Sequence, residues 1–140
     1  MRKLLNLISY LTIFSAIGLI TLVVVWMTFP YKTITFVSPT FKILTPTVKQ
    51  GQLVKFVNNS CKHINLPATT TRIFQNDLIY YLPETKTDAP VGCHNDIISV
   101  KIPDELPPGH YFIKNMYQYQ VNPIRTISIT HDTEDFLVIE

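Results

Sequence analysis

From Leu4 to Phe29 the chain runs 26 residues without a charged side chain. At 1.5 Å per residue, a helix of that length crosses about 30 Å of hydrocarbon with some tilt to spare. Its polar residues (Asn6, Ser9, Thr12, Ser15, Thr21 and Thr28) are uncharged, and the hydroxyls can return a hydrogen bond to the helix's own carbonyls. Arg2 and Lys3 stand immediately before the run, which by the positive-inside bias places the N-terminus in the cytoplasm. Trp26, Phe29 and Tyr31 cluster at the far end, as an interfacial aromatic belt would, and Pro30 stops the helix because it has no amide hydrogen. A cleaved leader is the rival reading, with Ala16-Ile17-Gly18 as the site and cleavage after Gly18. Leader cores are only about 7–15 residues long, however, and Leu19 to Trp26 would remain beyond that site. The expectation is a single-pass, signal-anchor membrane protein, with residues 1–30 forming a cytoplasmic tip and transmembrane helix in contact with the lipid bilayer.

Beyond the anchor the chain changes character. Residues 31–40 read as a stalk or edge strand, and residues 41–140 as an extracytoplasmic domain, periplasmic or extracellular. Nine prolines spread from Pro39 to Pro123 argue against long helices. Between them lie short runs rich in Val, Ile, Thr, Tyr and Phe, the residues that suit a pleated surface. The expected strands are 41–48, 52–58, 69–74, 78–82, 97–102 and 111–121, with 126–130 and 136–139 closing the chain. Turn chemistry separates them at Lys49-Gln50-Gly51, Gln75-Asn76-Asp77, Pro107-Pro108-Gly109 and Asn122-Pro123. Such a pattern predicts an all-β fold, a two-sheet antiparallel sandwich.

One local motif sharpens this. Leu106-Pro107-Pro108-Gly109-His110-Tyr111 leads into the longest run. It resembles the approach to the F strand in immunoglobulin-like and fibronectin-like sandwiches, where a Gly-x-Tyr places a tyrosine corner. The resemblance implies that Gly109 makes the turn and that the Tyr111 hydroxyl bonds back to upstream backbone. The immunoglobulin cysteine two residues later is absent, because position 113 is Ile, and the only tryptophan is Trp26 in the anchor. Along the same run, Tyr111, Tyr117 and Tyr119 share one parity. That face is expected to be buried near Tyr111 and to become exposed further along, as a binding stripe or as half-buried packing.

Cys61 and Cys93 are the only cysteines, and both lie in the outer segment. Exported compartments are oxidising, so the pair is expected to form a disulfide, read as a staple between a strand end and a loop. Their neighbours allow a second reading. Cys61, His63, Cys93 and His94 supply two thiolates and two imidazoles, a set able to hold zinc or Cu(I) if the loops meet. The paired spacings are shorter than zinc motifs use, and no Met follows Cys93-His94 closely. The dense charged stretch from His131 to Asp135 reads as a solvated turn. Asn58-Asn59-Ser60 is a glycosylation sequon of the common three-residue kind.

Charge excludes little and supports less. The formal net charge of +2 equals the contribution of Arg2 and Lys3, so the outer segment balances to zero and offers no electrostatic case for nucleic acid. No Gly-x-Ser-x-Gly, His-Glu-x-x-His, Ser-x-x-Lys or phosphate loop is present. The expectation is therefore a non-enzyme without cofactor: a tethered binding or scaffold module whose partner is another membrane or envelope protein. An accessory protein of a bacterial or phage envelope complex would fit. The alternative is a membrane-anchored copper or zinc carrier built on a cupredoxin-like sandwich.

Overall fold

The computed structural model describes residues 2–30 and 32–140. Tyr31, counted above with the aromatic belt, lies outside the described residues. The apolar run forms one helix, α1 (Arg2–Thr28), and its stretch Asn6–Thr28 is long and apolar enough to cross a membrane. Its apolar side chains are exposed on every face, from Leu7 and Phe14 to Val24 and Met27. An all-round apolar helix with none of its apolar window buried against protein matches a bilayer span better than a core element. The hydroxyls bond inward as expected: Thr12 Oγ1 donates to Ser9 O at 2.9 Å, Thr21 Oγ1 to Ile17 O at 2.9 Å, and Thr28 Oγ1 to Val24 O at 2.8 Å.

The rest is mostly β, in two sheets. In chain order the strands are β1 (Ile34–Phe36), β2 (Thr47–Lys49), β3 (Leu53–Lys62), β4 (Ala68–Gln75), β5 (Ile79–Tyr81), β6 (Thr85–Thr87), β7 (Gly92–Lys101), β8 (Gly109–Asn122), β9 (Arg125–Asp132) and β10 (Phe136–Ile139). The first sheet has the order β1-β3-β7, and the second has β2-β10-β8-β4-β5, with β6 also on β4 and β9 also on β8. Both sheets feed one core. Val54, Phe56 and Val100 come from the first; Phe74, Ile113, Phe136 and Val138 come from the second. The period-2 alternation that identified the strands is the cause, since it sends every second side chain to the shared interior. In β3 the even-numbered residues point in, and in β8 the odd-numbered ones do, so Tyr111, Ile113, Asn115, Tyr117 and Tyr119 are all buried.

The expected 41–48 strand is corrected by a backbone conformation. Phe41 takes φ 57°, a left-handed value that costs a bulky residue about 1–2 kcal/mol. Packing holds it there. Its ring lies 5.0 Å from that of Phe36, 6.0 Å from Phe56 and 5.2 Å from His131, stacked on the last. The kink lets this stretch change sheets. Ile43 bridges Phe56 of the first sheet; β2 then joins β10 of the second, past Pro46. That β2–β10 pairing is parallel, so the expected all-antiparallel arrangement fails at this one edge.

The stretch from His131 to Asp135 is corrected as well. It is a built junction, where the chain breaks from β9 to β10 while both stay along β8. Thr133 is buried there. Ile113 N–H donates to Thr133 Oγ1 at 2.9 Å, and Thr133 N–H donates to Ile113 O at 3.0 Å. Glu134 Oε2 accepts from Ile43 N–H at 3.1 Å, tying the sheet-changing segment to this break.

Candidate functional site

The two cysteines stand directly opposite each other in a ten-pair ladder between β3 and β7, which runs from Leu53↔Lys101 to Lys62↔Gly92. They are joined, with S–S 2.03 Å and Cα–Cα 3.9 Å. The expected strand-end-to-loop staple is thus corrected to a cross-strand bridge. Both strands run further than the alternation suggested, β3 to Lys62 and β7 back to Gly92. The bridge sits on the outer face of the first sheet, the face of odd-numbered residues.

This geometry dissolves the proposed metal set. Cys61 and Cys93 spend their sulfurs on each other, and a disulfide offers no thiolate. His63 Nε2 hydrogen-bonds with Thr35 Oγ1 at 2.9 Å, and His94 Nε2 with Pro90 O at 3.0 Å. Among the described residues no group of three or more His, Cys, Asp or Glu is placed to hold a metal.

The tyrosine row also turns inward. Tyr111 Oη donates to Pro107 O at 2.9 Å, four residues upstream. Tyr117 is 6% exposed and Tyr119 is buried beside it, so no binding stripe emerges further along the strand. Burial pushes the Tyr117 hydroxyl up to about 12, against the partial opposition of the Arg72 guanidinium. Burial likewise raises Tyr119 and Tyr111 and lowers Arg72. Arg72 and Asn115 are register partners across β4 and β8, and both Arg72 Nε and Asn115 Oδ1 are buried without a hydrogen-bond partner.

Two surfaces remain open. The first is β7 itself. One side of its backbone is laddered to β3 over ten residues, and the other has no strand partner among the described residues. Edge strands usually carry guards such as charge, proline or a bulge. β7 carries His94 and Asp96 within it and Lys101 at its end, and the prolines at 90 and 103 lie outside the strand. On the outer face Ile97 is 62% exposed and pairs in register with Val57, with Leu53 (50% exposed) on the same face. On the inner face at the disulfide end, Lys62 is buried and its Nζ donates to Ala89 O, with the exposed Asp88 carboxylate 3.6 Å away.

The second is an open cleft of about 850 Å³ between the end of α1 and the base of the β structure. Pro30 has no N–H, so the carbonyl of Trp26, four residues earlier, loses its helical partner. Asn122, at the β8–β9 turn, supplies it: Nδ2 donates to Trp26 O at 2.6 Å. That bond seats the helix end against the domain. Val25, Trp26 and Phe29 form one wall of the cleft and Ile64, Leu66 and Val121 the other, with Lys32 and His63 at its rim. Apart from Trp26 and Phe29, the sequence reading singled out none of these as a wall. The available signal was Pro30, which guarantees a carbonyl in need of a donor but does not say which residue provides it.

No known protein family matches the chain, and no curated protein matches it. Among solved structures it is similar to alkylpurine DNA glycosylase AlkC of Pseudomonas fluorescens, bound to DNA containing an abasic site analog. The identity is 7% and the TM-score 0.46, over 77% of this chain. The chain spans 31% of that protein's length. That neighbour is an enzyme, and the expectation of a non-enzyme is withdrawn: it rested only on missing motifs, which do not exclude catalysis. At this TM-score the likeness carries no argument about the chain's own chemistry.

Proposed function

We propose that this chain is a membrane-tethered binding module. In this reading α1 is an uncleaved anchor with its N-terminus in the cytoplasm. The β domain is a two-sheet sandwich of immunoglobulin-like architecture, held outside the cytoplasm, periplasmic or extracellular. The all-round exposure of the apolar helix supports the anchor. The disulfide supports an oxidising compartment. The Tyr111 to Pro107 bond supports the sandwich type, because it has the form of a tyrosine corner.

The observation that carries the binding role is the unpaired edge of β7, which has no strand partner on one side among the described residues. A ten-residue strand with one free side offers main-chain donors and acceptors to an extended segment of a partner, while Ile97 and its outer-face neighbours offer apolar contact. The cross-strand bridge holds that edge in register with β3. Tethering to one membrane raises the effective concentration of partners in the same envelope, so modest contacts suffice. A membrane or envelope protein, as in an accessory role within a bacterial or phage envelope complex, is the partner class that fits.

Capture of partners by the full chain from detergent-solubilised membranes tests this, with a photo-crosslinking residue placed at Asn95 or Ser99 on β7. A discrete crosslinked protein is expected from β7 and not from Ser128 on β9, and Ile97→Lys lowers its yield at least tenfold. Equal labelling from both strands, or no crosslinked partner from β7, refutes the assignment.

A further inference from the structure

We infer that the cleft at the end of α1 seats an anionic phospholipid of the leaflet on the domain's side. Its phosphate lies against Lys32 and its upper chain along Trp26, Ile64, Leu66 and Val121. The inference rests on the reading of α1 as a membrane span.

Height is the first argument. The candidate span ends at Thr28, and the cleft's helical wall is Val25, Trp26 and Phe29, the last turn of that span and the residue just past it. Tryptophan at a helix end sits at the boundary between hydrocarbon and headgroups. A cavity opening at that height is filled by whatever surrounds it there, and in a bilayer that is lipid.

Charge is the second. Among the described residues the cleft lining includes no Asp or Glu, and Lys32 is the one Lys or Arg in it. Among the described residues Lys32 makes no ion pair. A cation beside an apolar wall, without a carboxylate to neutralise it, complements an anion that carries a hydrocarbon tail. Near a membrane surface one lysine is worth about 1 kcal/mol toward an anionic headgroup, so the preference it sets is a small multiple and not an exclusive selection.

Size and rigidity are the third. A volume of about 850 Å³ falls within the range of small-molecule sites and suits a headgroup with the start of one chain. The Asn122 to Trp26 bond ties the two walls together at one point. His63, hydrogen-bonded to Thr35, adds a second polar side chain to the lining. An occupant here would bear on the pose of the domain over the membrane, since it fills the angle between helix and domain.

The test reconstitutes the full chain into nanodiscs of equal phosphatidylglycerol and phosphatidylcholine, then identifies lipids that stay bound by native mass spectrometry. Retained phosphatidylglycerol is expected to exceed phosphatidylcholine at least threefold. Lys32→Glu, an exposed change, brings the ratio to one or below. Lys55→Glu, on the outer face of β3 away from the cleft, leaves it unchanged. Equal retention of the two lipids, no retained lipid, or an unaffected ratio in Lys32→Glu overturns the inference. So does a photo-crosslinker at Val121 that labels protein instead of lipid. Alkaline carbonate extraction of the full chain reconstituted into vesicles of the same two lipids separates the two readings. A chain released from vesicles sinks the anchor and the cleft together, whereas a chain that stays with the bilayer but retains no anionic lipid sinks the cleft alone.

Discussion

Replacing Cys61 and Cys93 together by serine removes the chain's one covalent cross-link without leaving an unpaired thiol. Both sulfurs lie on the outer face of the first sheet, with Cys93 exposed and Cys61 half-buried, so the substitutions sacrifice little packing. The cost lies mainly in the unfolded chain. The bridge closes a loop with a sequence separation of 32 residues, and that loop holds β4, β5 and β6, which all belong to the other sheet. In the chain-entropy account, closing a loop of that length is worth about 3.7 kcal/mol at 25 °C. For a domain of about a hundred residues this is a drop of roughly 15–30 °C in the midpoint, or about 2–3 M in urea. The assay is urea denaturation of the full chain in detergent, followed by tyrosine fluorescence and far-ultraviolet circular dichroism, for the native chain and the double variant. The β signal without denaturant is expected to stay native, because ten register pairs hold β3 to β7 independently. A loss below about 1 kcal/mol would refute the reasoning: the unfolded chain would then already keep β3 near β7, and the bridge would have little freedom left to remove.

Two other outcomes follow from the buried tyrosines. Tyr111→Phe deletes the hydroxyl that donates to Pro107 O, and is expected to cost about 1 kcal/mol while preserving the sheet content; an unchanged urea midpoint would show the corner to be ornamental. Alkaline pH is the second lever. The Tyr117 hydroxyl is raised from 10.0 to about 12 in the fold, so the folded state holds this proton more tightly than the unfolded chain does. Its contribution is complete below pH 10 and is lost as pH rises toward 12, up to about 2.7 kcal/mol. Absorbance at 295 nm is expected to show a group of tyrosines ionising only together with unfolding, and Tyr117→Phe to lessen the alkaline loss. An alkaline loss of stability that Tyr117→Phe leaves unchanged would contradict this.

The parts of the fold legible in the sequence are those set by local pattern. An uncharged run of 26 residues gives α1, and alternation along 52–58, 97–102 and 111–121 picks out the first half of β3, the second half of β7 and most of β8, with the tyrosine parity of β8 facing inward as expected. Failures occur where a local pattern is overruled by a distant partner. Phe41 to Val48 has strand composition, but an aromatic cluster drawn from Phe36, Phe56 and His131 holds Phe41 left-handed and turns the chain into the other sheet. Thr133 sits in an acidic stretch that reads as solvated, yet its hydroxyl replaces a ladder partner for Ile113. Cys61 follows Asn58-Asn59-Ser60 and Cys93 follows Val91-Gly92, contexts that read as a strand end and a loop. Paired against each other across the ladder, they are strand.

The candidate surfaces were less legible for a related reason. Whether a strand is an edge is a property of the sheet, and β7 is one because the chain leaves β3 for the other sheet before returning through β7. Its composition says nothing of that. The disulfide connects the two levels. A slip of one residue between β3 and β7 would turn either Val54 and Phe56 or Ile98 and Val100 out to solvent, which the hydrophobic core already forbids. A slip of two would keep those faces but part the sulfurs. Core alternation and the cross-strand bridge therefore specify one register between them. The first determines which side chains face in, and the second determines how far the free edge of β7 projects beyond its partner. An edge so held presents the same row of backbone groups to every partner it meets. The binding role proposed for this chain depends on that property, which membrane anchoring alone would not supply.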